Sequence, residues 1–155
     1  MGRYNLNMRA FAVLVLTLIP ASAFAQSKEP FTAQAMMRLK RVSEPNLSPD
    51  GQFVAFTAGT VDVEANSTQR HIYVTPASIA SPRAIATEGR NWSPRFSPDS
   101  KQIAFLSSRS GSAQIWLMKP DGTAARQVSK MSTEVDEFGW SPDGKFLIAV
   151  SAVCA

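Results

Sequence analysis

Ser48-Pro49-Asp50-Gly51, Ser97-Pro98-Asp99-Ser100 and Ser141-Pro142-Asp143-Gly144 each set a hydroxyl two positions before a carboxylate. The run Gly139-Trp140-Ser141-Pro142-Asp143-Gly144 comes within one residue of a Gly-x-Ser-x-Gly elbow, the turn that presents a hydrolase nucleophile. Serine catalysis also needs a general base, and His71 is the sole histidine. The spacing argues against this chemistry. The second glycine falls one residue late, and Ser48 and Ser97 occupy the same setting as Ser141. A turn explains all three copies at once. Pro presets φ, the Asp carboxylate accepts backbone N–H groups just ahead, and Gly takes positive φ without strain. Pro49, Asp50, Gly51, Pro98, Asp99, Pro142, Asp143 and Gly144 are therefore read as structural turn residues. No catalytic residue is assigned. Asp50, Asp99 and Asp143 belong to separate units, too far apart to converge on a metal, and no cofactor is implied.

The elements that carry these turns repeat with them. Phe96 to Ser129 parses as one four-stranded antiparallel unit. Gln102 to Ser107 reads as a strand with Ile103 and Phe105 on one face and Ala104 and Leu106 on the other. Gln114 to Lys119 follows, with Ile115 and Leu117 opposed to Trp116 and Met118. The Pro120-Asp121-Gly122-Thr123 turn leads to a polar outer strand, Ala124 to Ser129. Both central strands are apolar on both faces, so the sheet must be covered on both sides. Its own copies are the available cover. The turn aspartates are offset by 49 and 44 residues, close to the roughly 40–45 of a propeller blade. Val54, Ile103 and Leu147 align, as do His71 and Gln114 at the head of a later strand. The expected fold is all-β: a partial β-propeller of two four-stranded blades and half of a third. The blades span about 42–87, 93–129 and 135–155.

Ahead of the blades, Arg3 and Arg9 precede the apolar run Ala10 to Ile19, and Ala23-Phe24-Ala25 offers a cleavage site. This ten-residue run falls short of the about 20 apolar residues that cross a bilayer. Residues 1–25 are read as an export signal, giving a periplasmic or secreted chain from Gln26 without a stable membrane anchor. Residues 26–41 form a leader with a short helix, Thr32 to Lys40, capped by Thr32 and packing through Met36, Met37 and Leu39. Gly59 to Arg70 reads as an outer loop holding the formal sequon Asn66-Ser67-Thr68. Net charge is +4, falling to +2 without Arg3 and Arg9, and no basic stripe or aromatic platform points to nucleic acid. Cys154, the single cysteine, is read as a buried thiol with no internal disulfide partner.

Leu39 to Thr57 (LKRVSEPNLSPDGQFVAFT) resembles the start of the prolyl oligopeptidase family. The closest branch is its secreted acylaminoacyl-peptidase and dipeptidyl-peptidase-like serine hydrolases. Thr60 to Glu64 and Ser108 to Met118 resemble it too. The Ser-Pro-Asp-Gly turn is shared with TolB-like periplasmic propellers, and Ser100 departs from it where the pattern has Gly. The resemblance implies a two-part peptidase: a propeller that gates access for peptide substrates, and a C-terminal α/β-hydrolase domain. The partners implied are the missing C-terminal blades and that hydrolase domain. This chain alone would be catalytically silent. Two alternatives stand beside it: a non-enzymatic TolB-like propeller that binds protein partners, and a non-functional truncated remnant.

Overall fold

The computed structural model describes residues 31–79 and 81–152. The expected export signal, residues 1–25, and Cys154 lie outside them. The first sheet holds β1 (Arg41–Leu47), β2 (Phe53–Asp62), β3 (Ser67–Pro76) and β4 (Arg83–Ala86), in that order. The second holds β5 (Asn91–Phe96), β6 (Ile103–Ser107), β7 (Gln114–Met118) and β8 (Arg126–Gln127). The third pairs β9 (Val135–Trp140) with β10 (Leu147–Ser151). Every pairing is antiparallel between chain neighbours, so each sheet is a meander closed by short turns. The sheets form a partial β-propeller.

The second sheet holds the stack together. All five residues of β6 are buried. Ile103 and Phe105 join Phe96 and Met118 against Ala55, Ile72, Val74 and Ala86 of the first sheet. Ala104 and Leu106, with Ile115 and Leu117, meet Val135 and Phe138 of the third. The period-two alternation thus sends adjacent residues into two different cores. The outer faces of the stack are open: Val42 and Leu47 on β1, and Ile148 and Val150 on β10, are each more than half exposed.

Three local expectations are corrected. Gly59 to Arg70 is mostly strand, not loop: Gly59↔Arg70, Thr60↔Gln69, Val61↔Thr68 and Asp62↔Ser67 extend the ladder. Only residues 63–66 turn, held by the Ala65 N–H donating to Asp62 Oδ1 (2.9 Å) and by Asn66 at φ 45°. The sequon therefore sits at a hairpin tip, with Asn66 exposed. The helix α1 (Ala33–Arg38) has its expected cap, with Thr32 Oγ1 accepting the Ala35 N–H at 3.1 Å. Its apolar residues do not pack as expected, since Met36, Met37 and Leu39 are 44, 38 and 55% exposed. Six residues make fewer than two turns, and they border the distal hairpin across an open groove beside Val61 and Val63. The outer strand of the second sheet shrinks to Arg126–Gln127. The N–H groups of Val128 and Ser129 both donate to one carbonyl, that of Ile115, so the ladder loses register there.

No helix among the described residues is long and apolar enough to cross a membrane. Phe105 is fully buried between the first two sheets. Phe105→Ala should lower unfolding free energy by about 3–5 kcal/mol, read as a reduced urea midpoint with an unchanged slope.

Candidate functional site

The three Ser-Pro-Asp turns join the first two strands of each sheet, and each is a closed hydrogen-bond unit. In the second, Ser97 Oγ donates to Asp99 Oδ1 (2.6 Å) and accepts the Gln102 N–H (3.0 Å), while Asp99 Oδ1 also accepts the Lys101 N–H (3.1 Å). The first repeats this with Ser48, Asp50, Gln52 and Phe53, and the third with Ser141, Asp143, Lys145 and Phe146. In each, the fourth residue donates its N–H to the serine carbonyl. That fourth residue has φ of 72° at Gly51, 60° at Ser100 and 69° at Gly144. Serine in the left-handed region is strained, but its hydroxyl gives something glycine cannot. Ser100 Oγ accepts the Asp50 N–H at 3.1 Å and ties the first turn to the second. The third turn packs on the second as well, because a Cβ on Gly144 would lie 3.4 Å from Pro98.

These bonds set the chemistry of the carboxylates. The serine hydroxyl is the main cause, and a backbone N–H the next, holding Asp50, Asp99 and Asp143 below the ordinary aspartate range. Each hydroxyl is in turn committed to its own aspartate and to the start of the next strand. Ser141 is therefore a turn hydroxyl in the third sheet, whereas His71 lies on β3 of the first, paired with Ala58. The structure does not bring them together as nucleophile and base.

Below the turns, a polar seam joins the first two sheets. The inner strands β1 and β5 both bulge before a proline, with Glu44 at φ 55° and Ser93 at φ 53°. Glu44 crosses from one bulge to the other, accepting from the Ser93 N–H (2.9 Å), the Ser93 hydroxyl (3.1 Å) and the Thr57 hydroxyl (2.6 Å). Burial pushes the Glu44 carboxyl up, but these hydrogen bonds, helped by the Arg70 charge, outweigh it and its pKa is lowered. Asn46 Oδ1 accepts the Phe96 N–H (2.8 Å), and Trp140 Nε1 donates to the Arg95 carbonyl (3.1 Å) on the other side. At the far edge, Arg109 lies over the Trp116 ring (4.5 Å) and donates to Ser107 Oγ and Asn91 Oδ1, both at 3.0 Å. Sequence reasoning passed over Ser48, Ser97 and Ser141 as hydrogen-bond centres, although the repeat itself marks them. Glu44, Asn46 and Arg109 carry no such signal, because each acts between units or in one unit alone.

The TolB beta propeller domain model, PD40, matches residues 32–153. The chain belongs to this family. Dipeptidyl-peptidase 5 of Porphyromonas gingivalis is 33% identical over 146 residues, which is 90% of this chain and 21% of that protein. Acylaminoacyl peptidase of Pyrococcus horikoshii superposes with a TM-score of 0.64 at 26% identity, over 75% of this chain and 18% of that one. TolB of Acinetobacter baumannii gives 0.58 at 25% identity, over 68% of this chain and 25% of that one. The chain spans about a fifth of the length of the curated relatives it matches.

Two measurements test the turn unit of this TolB-type propeller. Ser97→Ala removes the donor to Asp99 and orphans the Gln102 N–H, and should cost about 1–3 kcal/mol in urea unfolding. The turn aspartates have folded pKa values below their unfolded ones, so their contribution is complete above the unfolded value near 3.8. It is lost as pH falls through the depressed folded values. The urea midpoint should hold down to about pH 5 and decline below about pH 4. A midpoint that rises on acidification would contradict this account of the turns.

Proposed function

We propose that this chain is the N-terminal part of a substrate-gating propeller in an exported serine peptidase. One observation carries the reading: the likeness to dipeptidyl-peptidase 5 runs through nine-tenths of this chain yet accounts for about a fifth of that protein. In this reading residues 1–25 direct export, residues 26–41 are a leader, and the blades fall at about 42–87, 93–129 and 135–155. The chain itself performs no bond-breaking step. A separate α/β-hydrolase domain supplies the nucleophile, and the stacked sheets bar folded proteins while passing peptides. The open apolar faces support the same reading. Phe146, Ile148 and Val150 are 67, 64 and 54% exposed, a surface suited to cover by a further sheet.

A second reading is favoured by the TolB-type family model and the superposition on TolB itself. It makes the chain part of a non-enzymatic propeller that binds protein partners.

An antibody raised against residues 31–152 distinguishes the two. From the source organism it should capture an extracytoplasmic protein whose N-terminus is Gln26 and which reacts with a fluorophosphonate probe. The same product should cleave chromogenic dipeptide substrates. A captured protein inert to the probe and to those substrates rules out the peptidase reading. A product that keeps Met1 and stays in the cytoplasm overturns export.

A further inference from the structure

A cleft of about 710 Å³ opens between the first and second sheets, on the side of the Ser-Pro-Asp turns. Its volume lies within the range of small-molecule and peptide-end sites, roughly 300–1,000 Å³. Phe53 and the β3 end, Val74 and Pro76, give one apolar wall, and Pro120 of the β7–β8 turn faces them from the second sheet. Val74 is buried and Phe53 and Pro76 are half-buried, so the apolar surface is set into the molecule.

Three cations stand around this lining: Arg83, Lys101 and Lys119. Among the described residues none of them forms an ion pair. Asp121 is the one acid in the lining, and its carboxylate is engaged by its own turn. Asp121 Oδ1 accepts the Thr123 N–H (2.8 Å) and the Thr123 hydroxyl (2.6 Å). Arg83 Nη1 donates to the Asp121 carbonyl at 3.0 Å, which closes one end of the cleft and joins the two sheets there. Lys101 and Lys119 are exposed, and although their charges help lower the pKa of Asp99 and Asp121 respectively, neither forms a close ion pair among the described residues. The lining therefore carries an excess of two positive charges beside an apolar recess. Ser81 and Ser100 add hydroxyls along it, and the cleft is open to solvent.

We infer that this cleft binds the C-terminal end of a peptide whose last side chain is apolar. The side chain fills the recess formed by Phe53, Val74, Pro76 and Pro120. The α-carboxylate lies between Lys101 and Lys119, and the preceding residues leave through the open side past the serine hydroxyls. Charge complementarity selects the carboxylate, and the apolar walls select the side chain. This binding goes beyond the gating role. It is a property of this chain's own residues and is measured without any hydrolysis, so it stands or falls apart from the peptidase reading.

The test is fluorescence anisotropy of the full chain with the labelled pentapeptide Gly-Ser-Gly-Ala-Phe at low salt. The free acid should bind, and its C-terminal amide should bind at least about tenfold more weakly. A peptide ending in Ser should lose a similar factor. Lys101→Gln with Lys119→Gln should also weaken the acid by about tenfold or more, while the charge-matched pair Lys130→Gln with Lys145→Gln stays within about twofold. All four lysines are exposed, and matching circular dichroism spectra will show that each variant folds. Equal affinity for acid and amide, equal loss in both lysine pairs, or no binding at millimolar peptide overturns the inference. So does 3-phenylpropionate binding as tightly as the peptide, which would make the cleft a site for small aromatic acids.

Discussion

A sheet that is apolar on both faces cannot exist alone in water, and β6 imposes that condition on everything around it. Its five residues are all buried, two facing one neighbouring sheet and two the other. Burying Ile103, Phe105 and Leu106 is worth about 1.5–3 kcal/mol each, which makes the sandwiching of the second sheet a large part of the stability of the stack. The first and third sheets are less fully covered, and their outer faces keep large apolar side chains in solvent.

Hydrophobic cover does not by itself set the angle or register between sheets. Polar groups at the inner edge do that. The Ser-Pro-Asp turns satisfy their own donors and acceptors and then touch one another through Ser100 and Pro98. Glu44 and Asn46 reach from β1 to β5, and Trp140 returns from β9 to the Arg95 carbonyl. A directional hydrogen bond between neighbouring inner strands fixes a position that oil-like contact leaves loose. The same arrangement leaves a cationic, apolar-walled cleft beside the turns, where the sheets diverge toward their outer edges.

The hydroxyls and carboxylates of the Ser-Pro-Asp turns are committed to one another and to the backbone, and the lowered pKa values of the turn aspartates follow from that commitment. Perturbed acids often mark active sites, but Asp50, Asp99 and Asp143 mark structure, because the main perturbing donors belong to the same turn as each acid.

The sequence by itself determined the sheets, because their causes are local. Alternation fixed the faces of Ile103, Phe105, Ala104 and Leu106, and Pro, Asp and Gly fixed the turns between strands. Repetition of those signals then made the blade count readable. The short helix shows the limit: its cap was legible at Thr32, but its exposure was not, since burial depends on what lies opposite. Only the tertiary structure decided the long β2–β3 hairpin, the Glu44 bridge to Ser93, the Arg109 stack on Trp116 and the cleft of Arg83, Lys101 and Lys119. Glu44 and Ser93 lie 49 residues apart in the chain, and Asp50 and Ser100 lie 50 apart, and both pairs meet only because apolar faces have already brought the first two sheets together. Local pattern encodes which residues pair within a sheet, whereas the geometry between sheets is set by packing that no single stretch contains.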